Sequence, residues 1–282
     1  MTQPDPLVTV LMTTYADDLP VLKRAIDSIL AQTLRDFEFV VVFEPDDRNW
    51  DQVNRDYRDP RLVLFQCPTR AGMAASFNAG LALARGRYIA RMDSDDVAYP
   101  HRLETQVRHL QARPDLAVLG AAGRLMDRDG NAVGIRQFPT THGDIVWNFA
   151  MTNPMLHPTV VWDRERVGYD LRYDPSQIQE DMELWLRLVR GGHRFANLPE
   201  ALIDYTQPDG YRRPKKVWKG GIRARLKHWR LGLRNPMFFV GIALRFGLLL
   251  LPVPILDAIT QRNRLSDRLR SIRRDTFLPA AK

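Results

Sequence analysis

Cysteine, phosphate-cradling glycine motifs and unbroken apolar runs are all scarce in this chain, and each shortage removes a class of protein. Cys67 is the only cysteine among 282 residues, so no intrachain disulfide can form and a reducing compartment is expected. Neither G-x-x-x-x-G-K-[ST] nor G-x-G-x-x-G occurs, which disfavours P-loop kinases and dinucleotide enzymes. Met1 to Pro6 is polar and has no apolar core, which speaks against a secretory leader. No internal repeat is visible. The length suits one sizeable core with an appendage.

Charge is divided unevenly. From Arg212 to Lys282 there are 18 Lys and Arg against 3 acids, whereas residues 1–211 hold 23 basic and 30 acidic side chains. The overall +8 therefore conceals an acidic body and a strongly basic tail. Two regions of opposite sign call for two explanations.

The body alternates strands with helices. Strands are predicted at Leu7 to Met12, Phe37 to Phe43, Arg61 to Gln66, Tyr88 to Met92 and Leu116 to Ala121. Helices are predicted from Leu19 to Ala31, from Ala71 to Ala84 with Gly86 as terminator, and from Pro100 to Ala112. Such alternation implies a doubly wound, mostly parallel α/β sheet. Asp129-Gly130 predicts a hairpin turn. Beyond it come a β-like Thr159-Val-Val-Trp162 and a helix over Ile178 to Arg190. Two extended pieces broken at Pro199 follow, within Phe195 to Tyr205. Pro208-Asp-Gly210 closes the body, dividing the chain into residues 1–213 and 214–282.

The appendage reads differently. Trp218, Ile222, Leu226, Trp229 and Leu233 recur every three or four residues with Lys and Arg between them, the pattern of a basic amphipathic helix. Met237 to Leu256 is mostly apolar but broken by Arg245, Pro252 and Pro254, which favours an in-plane or re-entrant segment over a span. Arg262 to Arg274 adds further charge. Association with an anionic membrane surface is the expectation; a helical subdomain packed on the body is the alternative. A nucleic-acid partner is not expected, because it would leave the apolar run without a role.

Chemistry concentrates where the strand Tyr88 to Met92 ends in Asp93-Ser-Asp95-Asp96. Three carboxylates this close repel one another unless a cation sits among them, and Mg²⁺ or Mn²⁺ prefers oxygen ligands. The plain alternative is a solvated acidic turn. In open α/β sheets ligands bind beyond the carboxyl ends of strands, where this cluster falls. Glu180-Asp181 opens a helix; acids there meet the helix dipole favourably, and one of them would also serve as a carboxylate base. Thr13 to Asp18, after the first strand, reads as a nucleotide-wrapping loop or an ordinary connection. Glu44 ends the second strand, either touching a base or ribose or simply solvated. His157, in a Pro-bounded loop, is a candidate acceptor-site residue.

Taken in order, Val8-Thr-Val-Leu-Met-Thr-Thr-Tyr15, Ser28-Ile-Leu-Ala-Gln-Thr33, Phe37-Glu-Phe-Val-Val-Val, Gly72 to Gly80, Ala84 to Asp96 and the Glu180-Asp181 helix resemble the bacterial family-2 glycosyltransferases with the GT-A fold. The resemblance covers about residues 7–206. It implies inverting transfer of one sugar from a nucleotide-sugar donor, a UDP-sugar foremost, to a hydroxyl of a lipid-linked or cell-surface glycan. It further implies that Asp93 lies near the ribose, that Asp95 with Asp93 holds a Mg²⁺ or Mn²⁺, and that Thr14, Tyr15 and Asn78 contact the donor. Asp181 would be the general base, with Glu180 in support, on the cytoplasmic face of the cell membrane.

Two departures stand out. Relatives place Asp-Asp-Gly-Ser after the second strand, where this chain has Phe43-Glu44-Pro45-Asp46; Glu44 stands in for the base-contacting Asp, which leaves the base open. Relatives also carry Tyr-Arg-X-His near the domain's end, where Tyr205-Thr-Gln-Pro stands here. The Gln-X-X-Arg-Trp of processive synthases is missing, which favours single-sugar addition. A nucleotide-sugar pyrophosphorylase would need a Gly-rich, Arg-containing loop after the first strand, which Thr13 to Asp18 is not. An inactive membrane scaffold would have no need of Asp93, Asp95 and Asp181.

Overall fold

The computed structural model describes residues 4–70, 72–127, 129–206, 215–252, 254–256 and 258. The expected turn at 208–210, the boundary at 213–214 and the basic stretch at 262–274 lie outside them. The chain runs β1 (Val8–Thr14), α1 (Leu19–Leu30), β2 (Phe37–Phe43), α2 (Trp50–Asp56), β3 (Leu62–Gln66), α3 (Met73–Leu83) and β4 (Tyr88–Asp93). Next come β5 (Val97–Ala98), α4 (Arg102–Ala112), β6 (Val118–Met126), β7 (Ala132–Arg136), α5 (His142–Asn148), β8 (Val161–Asp163) and α6 (Arg164–Val167). The last are α7 (Glu180–Arg190), β9 (Phe195–Thr206), α8 (Lys215–Lys227) and α9 (Met237–Leu250).

Strand order is β3-β2-β1-β4-β8-β6-β9-β5, with β7 hairpinned on β6. The β3-β2-β1-β4 half is parallel. The short β8 enters antiparallel between β4 and β6, and β6 then pairs parallel with β9. The sheet is thus mixed and mostly parallel, with α/β architecture as expected. Successive residues of the central strands feed opposite cores. Leu11, Val40 and Val42 pack beneath α3 and α7, while Val10, Met12, Phe39 and Val41 pack beneath α1 and α4. A strand apolar on both faces has no solvated side, which is why β1 and β2 read as continuous runs.

Several sequence expectations shift. Gly86 does not terminate α3, which ends at Leu83 with Ala84 already extended. Its small size serves β1 instead: a Cβ there would lie 2.4 Å from the Thr9 nitrogen, and its N–H donates to Thr9 Oγ1 at 2.8 Å. Phe195 to Thr206 is one strand, not two, and Pro199 sits where its register against β6 slips. The short α2, α5 and α6 carry too few turns for periodicity to show.

The appendage is built into the body. Ile222 and Ala224 of α8, with Phe238 and Ile242 of α9, join the apolar cluster of Trp185 and Phe149. Glu183 of α7, fully buried, accepts from Lys227 at 2.8 Å and contacts His228 at 3.2 Å. Against the upward push of burial, these partners hold its carboxyl at about 2. The predicted single amphipathic helix is split: α8 ends at Lys227 and a 3₁₀ turn covers Trp229–Leu233. Its inward face is Gly221, Ile222, Ala224, Arg225 and His228, so Leu226, Trp229 and Leu233 remain exposed. Among the described residues no helix is long and apolar enough to cross a membrane.

Candidate functional site

Where β4 leaves the sheet, Asp93, Asp95 and Asp96 offer carboxylate oxygens that lie within 4.8 Å of one another. Thr206, at the end of β9, fixes this turn: its N–H donates to Asp96 Oδ1 at 3.0 Å and its hydroxyl to the Asp95 carbonyl at 2.9 Å. Asp96 is completely buried, and its Oδ2 has no hydrogen-bond partner among the described residues. Burial, then the charges of Asp93 and Asp17, push Asp95 up to about 6. Burial with Asp93 and Asp95 pushes Asp96 well above the usual carboxylate range. An orphaned buried oxygen among three crowded carboxylates fits a hard divalent cation, whose charge would offset the repulsion and accept that oxygen's free lone pair.

Arg91, two residues from the end of β4, is buried between this cluster and a second pair of acids. Its Nη1 pairs with Asp93 Oδ1, and its guanidinium lies 4.7 Å from the centre of the Phe77 ring. Burial opposes the charge, yet Asp93, Tyr173, Glu180 and Asp181 together hold the guanidinium above its ordinary value. Glu180 and Asp181 open α7, where the dipole favours anions. Burial, then the neighbouring Asp181 charge, push Glu180 up to about 7. Asp181 is oriented from two sides: Oδ2 accepts from Asn153 Nδ2 at 2.6 Å and Oδ1 from the Met182 N–H at 2.7 Å. The fold therefore gathers the two acidic motifs around one buried cation.

The loop after β1 forms a second wall. Thr14 Oγ1 and Ser94 Oγ both donate to Asp17 Oδ2, at 2.8 and 2.7 Å, joining that loop to the acidic turn. Ala16 and Asp46 have φ of 56° and 61°, left-handed values that cost a non-glycine residue about 1–3 kcal/mol and gather at functional sites. Asp47 holds one of them, accepting the Ala16 N–H at 3.2 Å. Tyr15 is exposed, with the Arg70 guanidinium 4.3 Å from its ring centre. A hollow of about 450 Å³ opens between Asp46, Arg48, Trp50 and Cys67, beyond the ends of β2 and β3.

Three expected site residues are committed to neighbouring groups. Glu44 is not solvated; it is buried and accepts the Ser76 hydroxyl. Asn78 spends its carboxamide on Tyr173, donating to its carbonyl at 2.9 Å and accepting its N–H at 2.8 Å. That pins the loop carrying Tyr173 to α3. His157 Nε2 lies 2.6 Å from the Tyr173 hydroxyl, its ring edge-on to Trp162 and Trp185. Burial first, then Arg91, lowers it well below the ordinary histidine range, so the ring is neutral and part of the wall. Sequence reasoning missed Arg91, Asn153, Asp17 and Thr206. Only Arg91 carried a signal, a lone cation inside the apolar strand Tyr88 to Met92.

The sequence profile described as Glycosyl transferase family 2 matches residues 9–159. An uncharacterized glycosyltransferase of Methanocaldococcus jannaschii is 31% identical over 211 residues, covering 72% of each chain. The amylovoran biosynthesis glycosyltransferase AmsE of Erwinia amylovora is 27% identical over 269 residues, covering 92% of this chain and 99% of its own. Among solved structures, S. aureus TarS 1–349 in complex with UDP superposes with a TM-score of 0.65 at 17% identity, over 94% of this chain and 80% of that one. Against the longer TarS chain the match spans 39% of its length. The mannosyltransferase PcManGT of Pyrobaculum calidifontis, solved with GDP-Man and Mn²⁺, has a TM-score of 0.61 at 17% identity, over 93% and 81% of the two chains. At such identities the structures show a shared GT-A-like fold.

Proposed function

This chain belongs to glycosyl transferase family 2, and we propose that it moves one sugar from a nucleoside-diphosphate sugar to a hydroxyl on a lipid-linked or cell-surface glycan. Its place would be in polysaccharide biosynthesis at the cytoplasmic face of the membrane, with inversion at the anomeric carbon. The observation that carries this is the meeting of Asp93, Asp95 and Asp96 with Glu180 and Asp181 around Arg91. A relative named for amylovoran biosynthesis and fold neighbours solved with UDP, UDP-GlcNAc and GDP-Man support the substrate classes.

In this reading Asp93, Asp95 and Asp96 would hold a Mg²⁺ or Mn²⁺, which would supply Lewis-acid stabilisation of the departing diphosphate. Arg91 holds Asp93 in place through their ion pair. Thr14 and Tyr15 border the nucleotide, and Glu44 with Ser76 closes the wall on the base side. Asp181, its carboxylate aimed by Asn153, takes the proton of the acceptor hydroxyl as that oxygen attacks the anomeric carbon. The bond to the diphosphate oxygen breaks on the opposite face, and its electron pair leaves with the diphosphate. Exclusion of water by the aromatic wall of Phe77, Tyr173 and His157 favours an acceptor over hydrolysis.

A second reading of the proton step has its own observation. Glu180, at about 7, lies near the value that best serves a base at neutral pH. In that reading Asp181 orients Glu180, and Glu180→Gln, not Asp181→Asn, abolishes turnover.

Thermal shift and nucleotide release over a panel of UDP- and GDP-sugars with Mn²⁺ tests the proposal. One or a few donors should stabilise the protein and be turned over only with metal. If none binds, and Asp95→Ala changes nothing, the assignment is wrong.

A further inference from the structure

Arg225 is a buried arginine that, among the described residues, forms no ion pair with a carboxylate. It is 1% exposed, and every hydrogen bond it makes goes to a backbone carbonyl. Nε donates to Phe149 at 3.0 Å and Ala150 at 3.2 Å. Nη2 donates to Phe149 at 2.7 Å and Thr152 at 3.2 Å, and Nη1 to Gly221 at 3.0 Å. Arg245 of α9 reaches the same strip, donating to Ala150 at 3.2 Å and to Met151. The carbonyls of residues 149 to 152, the strip just past the end of α5, thus all accept from two arginines of the appendage.

Part of this is ordinary capping, since a helix leaves its last carbonyls without partners and favours cations there. Two details go further. Burying a guanidinium without a counter-ion is costly, and burial pushes Arg225 down to about 9; a single terminus on the surface would be capped by water at far lower cost. And the strip ends at Asn153, whose carboxamide aims Asp181 at 2.6 Å. Arg225 also feels the Asp181 charge directly. Close approach is built in: Gly241 lets α9 settle on Ala150, whose oxygen would be 2.1 Å from any Cβ.

We infer that Arg225 is a positioning residue for the acceptor half of the site, acting through the carbonyls of 149–152 and Asn153 on Asp181. The inference rests on the reading that the Glu180–Asp181 pair handles the acceptor proton. It makes α8 and α9 part of the catalytic apparatus, where charge patterning alone suggested an anchor. Asp181 is faced by Glu180 on its own helix, by Arg91 from β4, by Tyr173 and by Arg225 from α8; removing Arg225 therefore changes both its orientation and its charge environment.

The test pairs a kinetic cycle with a measurement that needs no substrate. With the full chain, Mn²⁺ and the panel sugar turned over fastest, Arg225→Met should lower kcat by about 10- to 100-fold, as a displaced catalytic group does. The KM for the donor should stay within about twofold, because the donor is held at the other side of Arg91. In an Asp181→Asn background the same substitution should add no further loss. Arg225→Lys, which keeps the charge, should fall between. In ¹⁵N-asparagine-labelled protein, the Asn153 side-chain amide signals, identified by their loss in Asn153→Ala, should move in Arg225→Met at a temperature where it is folded. Additive losses in the cycle, or unmoved Asn153 signals, would overturn the inference. Full activity of Asp181→Asn would instead sink the assignment of the base, while the Asn153 signals still report on Arg225.

Discussion

Arg91 and Asp93 form an ion pair two residues apart on one strand end, with the arginine 3% exposed and the aspartate facing the site. Their pairing places a fixed positive charge between the acidic turn and Glu180–Asp181. Arg91→Met should leave those carboxylates uncompensated. The expected loss of stability is about 3–5 kcal/mol, the usual result of removing one partner of a buried pair. Because the orphaned acids then resist ionisation, the loss should grow as pH rises from 5 to 8. Denaturant melts at the two pH values check this.

Glu180 gives a second pH signature. Its carboxyl is raised from 4.5 to about 7 in the folded protein, so the native state binds more protons than the unfolded one between those values. The carboxyl therefore lowers stability progressively as pH climbs through that window. Glu180→Gln should raise stability by up to about 3 kcal/mol at pH 8 and by almost nothing at pH 4.5. A flat difference across pH would contradict the burial described for this group.

For the acidic turn, Mn²⁺ at about 100 times its dissociation constant should raise stability by about 2.7 kcal/mol. Asp95→Asn and Asp96→Asn should each reduce that rise sharply, and chelation should reverse it. The measurement is thermal melting with and without metal. An unchanged response in Asp96→Asn would mean that its buried oxygen has another purpose.

The appendage yields a prediction that separates anchoring from folding. Ile222, Ala224, Phe238 and Ile242 share the body's core, and each large apolar side chain contributes about 1.5–3 kcal/mol on burial. Removing residues 215–282 should therefore destabilise the whole protein by several kcal/mol. Membrane association, which we propose for the exposed Trp229 and Leu233, is better tested by changing both to Glu. That variant should keep its melting temperature and sediment less with anionic vesicles, as should the unaltered protein in high salt. Equal sedimentation of the two proteins would remove these residues from any membrane contact.

Much of the fold was legible because the parallel strands bury both faces. Phe37 to Phe43 is uniformly apolar apart from Glu38 and was bounded correctly to the residue. The Asp93 cluster and Glu180–Asp181 were legible for a related reason, since acids abutting apolar elements stand out. What stayed hidden is what tertiary contact decides. A two-residue strand such as β5 has no period of its own. Arg225 looked like one more cation on a basic helix, and only the carbonyls of 149–152 reveal which way it points. Asn78 sits on α3 and His157 in a Pro-bounded loop, yet Tyr173, close to both only in space, holds each of them.

The central claim is that donor clamp and base are separate groups held apart by Arg91. Asp181→Asn tests it most directly, through kcat for transfer or donor hydrolysis and the Mn²⁺-dependent affinity for the nucleotide sugar in one preparation. The account predicts a fall in kcat of at least about 100-fold, the contribution typical of a general base, with donor affinity changed by less than about threefold. Loss of both in proportion, or turnover near the original rate, would contradict it.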